Sequence, residues 1–286
     1  MGNSLYLECG SGISGDMFVA AMLDLGADEK KLKEVLESLP VKGFTTKISR
    51  VKKSGLDACD FAVILDAEHE NHDHDMEYLH GQAHAHSEEN HPHGYEHNQT
   101  KKHLHDHGHT HHSHEHRGPK DILRIIEHSC MSEHAKEIAQ KIIRILSEAE
   151  AKAHGVSLEQ VHFHEVGAVD SIVDIAAAAV CADNLNLSKV YVTQLNEGSG
   201  MVRCQHGLLP IPVPAVANVV SAHQLPLHIT QVEGELVTPT GAAIAAALCT
   251  DKELPETFTI KKIGMGAGKR EYACVGVLRA MLIEES

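Results

Sequence analysis

The sequence has no tryptophan, and five tyrosines with five phenylalanines bring aromatics to only 3% of 286 residues. Few aromatic faces are left on which unpaired bases could stack. Basic side chains are also short: 25 Lys and Arg against 40 Asp and Glu give a formal net charge of −15, which opposes a phosphate backbone. No nucleic-acid partner is expected. Apolar runs such as Ile175 to Ala182 fall far below the ~20 residues needed to cross a bilayer, so no membrane partner is expected either. Met1-Gly2-Asn3-Ser4 has no basic region followed by an apolar core, which argues against a secretory signal. The seven cysteines (Cys9, Cys59, Cys130, Cys181, Cys204, Cys249 and Cys274) form no C-x-x-C pair. They read as reduced thiols of a cytoplasmic protein.

Histidine is in excess. Of 25, 17 lie between His69 and His116. The stretch 66–118 has 11 acidic and 3 basic residues and hardly any Val, Ile or Leu. It cannot bury enough apolar area to offset the entropy of ordering it, and a disordered insertion is expected there. Neutral imidazole suits Ni, Zn and Cu. The near-alternating His103, His105, His107, His109, His111, His114 and His116 offer a metal many equivalent registers, which fits holding and delivery better than catalysis.

The flanks read as an N-terminal α/β segment, 1–65, and a main α/β segment, 119–286. At roughly 150 residues per domain the chain has material for about two domains. Ser4 to Cys9 alternates like a strand and feeds the turn Gly10 to Gly15. Helices are expected over Asp16 to Leu25, Asp28 to Leu39, Lys120 to Ser129, Ser132 to His154 and Ser171 to Asn184, then before His223 and after Thr238. Thr45 to Val51 and Leu56 to Leu65 form a hairpin pattern. Val161 to Glu165, Val190 to Leu195, Phe258 to Ile263 and Val277 to Ile283 read as strands, and Gly264 to Gly268 as a glycine loop. The fold class expected is α/β: a mixed sheet with packed helices, interrupted by the disordered His-rich insertion.

Three clusters could carry chemistry. Gly10 to Gly15 fits G-x-G-x-x-G between a strand and a helix, but no second strand ending in an acidic residue follows, and no G-K-[ST]. What remains open is an anion site at a helix start with help from the Ser14 hydroxyl, a divalent-ion or proton role for Asp16, or a plain capped turn. His162, His164 and Glu165 precede Asp170 and Asp174, two carboxylates on one helix face. They could bind a divalent metal or supply a base, or else cap a helix and fill a core. Arg203, Glu235, Lys269 and Arg270 lie beside further loops compatible with a phosphorylated ligand.

At these residues the chain resembles the LarC family, the nickel-insertion proteins of nickel-pincer cofactor biosynthesis. The resemblance is carried by Ser11 to Met17, His162 to Asp174, Gly198-Ser199-Gly200, His206 to Pro212, Gly234 to Gly241 and Gly264 to Gly268, in the family's order. It implies CTP-dependent insertion of Ni2+ into pyridinium-3,5-bisthiocarboxylic acid mononucleotide, with Mg2+ or Mn2+ accompanying CTP. It further implies a product destined for an apo-enzyme such as lactate racemase. Forming a Ni–C bond at the ring requires loss of a C–H proton, hence a positioned base. Candidate catalytic residues are His164, Glu165, Asp170 and Asp174. Candidate ligand-binding residues are Gly12, Ser14, Gly15, Asp16, Thr238, Thr240 and Gly241. Candidate metal ligands are His162, His164 and the seven tract histidines named above. Family proteins are usually longer, so a separately encoded C-terminal LarC domain is an expected partner, as is a homo-oligomer. The stretch Tyr272 to Arg279 departs from the family's usual Pro-Asn before Leu-Arg. A non-catalytic nickel store or metallochaperone is the rival reading.

Overall fold

The computed structural model describes residues 2–66, 117–161, 163, 169–204 and 207–285, all of which belong to one compact unit. The histidine tract, His162, His164, Glu165 and His206 lie outside the described residues. Ten strands and seven helices of four or more residues are present among those described.

Strand β1 (Asn3–Glu8) leads to α1 (Gly15–Asp24) and α2 (Glu29–Ser38), followed by the hairpin β2 (Phe44–Lys53) and β3 (Leu56–Leu65). Its two-residue loop, Ser54-Gly55, has φ of 49° and 84°, the positive pair that matches strand twist. After residue 117 come α3 (Pro119–Glu127), α4 (Glu133–His154), α5 (Val169–Asn184) and β4 (Leu187–Tyr191). Next are β5 (Leu195–Ser199), β6 (Met201–Cys204), β7 (Gly207–Pro210), α6 (Pro214–His223), β8 (Leu227–Glu233) and α7 (Pro239–Leu248). The chain closes with β9 (Phe258–Ala267) and β10 (Val277–Glu285).

Six strands form one mixed sheet in the order β2-β3-β9-β10-β1-β4. β1 pairs antiparallel with β10 and parallel with β4, and β3 meets β9 in parallel at Cys59 and Gly266. The segments before and after the tract therefore interleave in a single sheet. Helix α1 lies on β3, β9 and β10 and against α5, which in turn packs on α4. Seven of the ten α1 residues are buried, so this helix is apolar nearly all round, as expected of one enclosed by sheet and helices. In α5 an unbroken run from Ile175 to Ala182 is buried, its alanines allowing neighbours to approach closely.

Three local expectations differ. Gly264 to Ala267 is the end of strand β9 and not a loop. A Cβ on Gly264 would come within 2.3 Å of the Ala21 carbonyl oxygen, and one on Gly266 within 2.0 Å of that of Met17. These glycines let α1 lie directly on the strand. Val190 to Leu195 is split between β4 and β5, because Val192 N–H leaves the sheet to bond Asp251 O at 3.0 Å. Val161 and Phe163 are buried but belong to no strand. The parallel pair β5–β8 and the hairpin β6–β7 are short, carry polar and glycine residues, and have no alternation clear enough to announce them.

Candidate functional site

The C-terminal end of β1 opens into the Gly10–Ser14 turn, and a second stretch of chain closes over it. Ile13 N–H bonds Leu236 O at 3.0 Å, and Thr238 N–H returns to Ile13 O at 3.1 Å. The Thr238 hydroxyl oxygen accepts the Gly241 N–H at 3.1 Å, capping α7, with Pro239 as its first residue. Two glycines make this approach feasible. Gly12 has φ +81° and a Cβ there would be 2.0 Å from Leu236 O, while a Cβ on Gly241 would be 2.1 Å from Ile13 O. Thr240 is buried in the first turn of α7. Thus Gly12, Thr238 and Gly241 serve a close contact between the starts of α1 and α7.

The third helix reaches the same place through its side chain. Asp174, in the second turn of α5, lies beside the Asp16 backbone N–H, which favours its ionised form. A Cβ on Gly15 would fall 2.6 Å from Asp174 Oδ2. The other oxygen, Asp174 Oδ1, is buried without a hydrogen-bond partner. Asp16 Oδ1 accepts the Ser14 hydroxyl and the Met17 N–H at 2.9 Å. Asp170, one turn earlier on α5, accepts the Ser171 N–H at 2.9 Å. Nearby, Lys269 forms an ion pair with Asp60.

Burial holds the Asp174 carboxyl well above the usual range, and the neighbouring charges of Asp16 and then Asp170 push it further; Lys269 opposes them. Asp16 is also raised, chiefly by burial, against the pull of the Ser14 hydroxyl and Lys269. Each carboxylate therefore disfavours ionisation of the other. The chemistry available is to keep a proton on one member and a basic oxygen on the other. Among the described residues no group of three or more His, Cys, Asp or Glu is arranged to hold a metal ion.

Of the residues singled out from sequence, the structure brings Ser14, Gly15, Asp16 and Asp174 together, with Asp170 one turn away and Thr238 and Gly241 packed behind. The tract histidines, His162, His164 and Glu165 fall outside the described residues. Glu197 was not legible as important. It is fully buried in β5, and its Oε1 accepts N–H groups from Gly198 at 2.7 Å, Leu236 at 2.8 Å and Val237 at 3.1 Å. Its Oε2 is buried and unpartnered, and burial pushes its pKa up to about 7 against those three donors. Gly198-Ser199-Gly200 beside it drew notice for glycine, whereas one glutamate in a short strand carries no signal before its partners, 39 and 40 positions away, are known.

Comparison with known proteins places the chain in a family. The profile described as nickel insertion protein matches residues 5–286. The chain is 51% identical, over all of its length and 62% of the relative's, to a pyridinium-3,5-bisthiocarboxylic acid mononucleotide nickel insertion protein of Alkaliphilus metalliredigens. It is 35% identical to the protein of that name from Acetivibrio thermocellus, over 97% of this chain and 60% of that one. It is 34% identical to a putative nickel insertion protein of Dictyoglomus thermophilum, over 98% and 61% respectively. The chain therefore spans less than two thirds of the length of these relatives. No solved structure matches it. Among the described residues no helix is long and apolar enough to cross a membrane.

Proposed function

The chain belongs to the nickel insertion protein family, and we propose that it takes part in inserting nickel into pyridinium-3,5-bisthiocarboxylic acid mononucleotide. The reaction in this reading is CTP-dependent, with Mg2+ or Mn2+ accompanying the nucleotide, and nickel is a substrate. Its product is the pincer cofactor of lactate racemase-type enzymes. The relatives are longer than the stretch matched here, and the reading includes a C-terminal LarC domain, whichever chain encodes it.

The observation that carries the reading is the Asp16–Asp174 pair at three converging helix starts, one of its oxygens buried and unpartnered. Nickel–carbon bond formation breaks a ring C–H bond: the carbon keeps the electron pair for nickel, and the proton needs an acceptor. A carboxylate of this pair supplies that acceptor, and burial raises its basicity. Ser14 orients Asp16 through its hydroxyl, and Lys269, itself paired with Asp60, moderates the negative charge. Asp170, His162, His164 and Glu165 are proposed as further base or nickel ligands. The tract, with His103, His105, His107, His109, His111, His114 and His116, is proposed to hold nickel in labile form for transfer.

The histidine tract also favours a second reading, a non-catalytic nickel store or metallochaperone. One experiment separates the two. The chain, intact or with 66–118 replaced by a Gly-Ser linker, is incubated with nickel, CTP, magnesium, the dithio-acid nucleotide and, in parallel, a C-terminal LarC domain. Product is followed by mass and by activation of apo lactate racemase. The enzyme reading expects product from both forms, the linker form needing more nickel. Product from neither, with nickel still bound by the intact chain, would support the store.

A further inference from the structure

A cavity of about 230 Å³ lies between the end of α4, the β6–β7 hairpin and the starts of α6 and α7. We propose that it is a binding site for the phosphate monoester of a ribosyl phosphate, the mononucleotide end of the substrate; this rests on the reaction proposed above.

Two arginines reach its wall, Arg203 from strand β6 and Arg270 from the segment after β9, in a chain whose net charge is −15. Guanidinium matches a phosphate monoester in charge and in planar, paired donors. Arg270 is held in place from behind. Its Nη1 lies 2.9 Å from Oε2 of the buried Glu235 and 3.4 Å from the Tyr272 hydroxyl, which donates to Glu235 O at 2.8 Å. That arrangement uses one nitrogen of a group with five N–H donors, and a fixed donor loses little freedom on binding. Helix α6 starts in the same wall with Pro214 and Ala215, and no side chain caps it. Its first-turn N–H groups add partial positive charge.

Glu150 also lines the cavity, 3.5 Å from His154 Nε2, and Glu235 is committed to Arg270. These carboxylates make the cavity mixed in sign, suited to a ligand that joins a phosphate to a cationic pyridinium and unsuited to a polyanion. The segment that lines the cavity with Glu235 and Pro239 also carries Thr238, whose N–H bonds Ile13 O beside Ser14. One short stretch of chain thus joins the cavity to the carboxylate pair.

The test is calorimetric, on the full chain, without nickel or CTP. The ligands are nicotinate mononucleotide, its dephosphorylated riboside and inorganic phosphate. The mononucleotide is expected to bind at least about tenfold more tightly than the riboside, with phosphate competing. Arg203→Gln, at an exposed position, should weaken the mononucleotide by about tenfold while the riboside binds as it does to wild type, and Arg270→Lys should weaken the mononucleotide too. Equal affinity for mononucleotide and riboside, no binding of either, or wild-type affinity in Arg203→Gln would overturn the proposal. Nickel incorporation distinguishes its failure from that of the parent reading. Phosphate-dependent binding with no product under any condition leaves the site standing and removes the reaction. Product formed by Arg203→Gln at an unchanged KM does the reverse.

Discussion

Asp174 and Glu197 each bury one carboxylate oxygen without a partner, but their surroundings point to different tasks. Glu197 accepts three backbone N–H groups on its other oxygen, so it ties β5 to the Leu236–Val237 segment that clamps Ile13. Asp174 has the charges of Asp16 and Asp170 beside it. A buried acid surrounded by donors is a fastening. One surrounded by acids is a destabilised group, and such arrangements concentrate where proton chemistry is needed.

The comparison would break most visibly in activity. Asp174→Asn keeps the size of the side chain but removes its proton-accepting carboxylate, and nickel incorporation should fall by about 100-fold or more. Its thermal midpoint should stay level or rise, because a buried charge is lost. Glu197→Gln should insert nickel within about twofold of wild type. If the two substitutions exchange these outcomes, the roles have been assigned the wrong way round.

Stability comes next. Glu197→Ala strands three buried N–H groups and should cost about 3 kcal/mol in urea unfolding, against under about 1 kcal/mol for Glu197→Gln. A cost below that of the glutamine variant would mean that Glu197 fastens nothing.

The pH dependence sharpens the pair further. Glu197 binds its proton more readily folded, at about 7, than at its ordinary 4.5. Its contribution to stability is therefore fully present below 4.5 and is lost as pH rises through about 7. Unfolding free energy should fall across that window and fall less steeply in Glu197→Gln. Asp174, raised in the same direction, should flatten the slope again when replaced by Asn. The smallest effect expected is that of Ser14→Ala. It removes the hydroxyl that favours ionised Asp16, costs about 1 kcal/mol at most, and moves the acid limb of the activity profile upward.

Much of this architecture was legible beforehand. Gly26 after α1, Pro40 after α2, Ser132 and Gly155 around α4, and Thr238-Pro239 before α7 are local signals, since capping and turn chemistry act over a few residues. The mixed α/β class followed from the same marks. In the site, Ser14 and Asp16 drew attention at a helix start, and Asp174 as one of two carboxylates on a helix face. The meaning of the glycines was not legible. Gly264 and Gly266 read as a loop because glycine marks turns and close contacts alike, and only the path of α1 across β9 tells the two apart.

The sequence by itself determined that the chain is acidic, carries a dense histidine tract between two α/β segments, and builds helices with well-marked ends. Composition and short-range backbone preferences suffice for those statements. Tertiary structure alone decided that both segments share one sheet, that Asp174 meets Asp16 across 158 positions, and that Glu197 fastens Leu236. A carboxylate's proton affinity depends on which charges and donors share its burial, and such neighbours are set by chain crossings that no local pattern encodes.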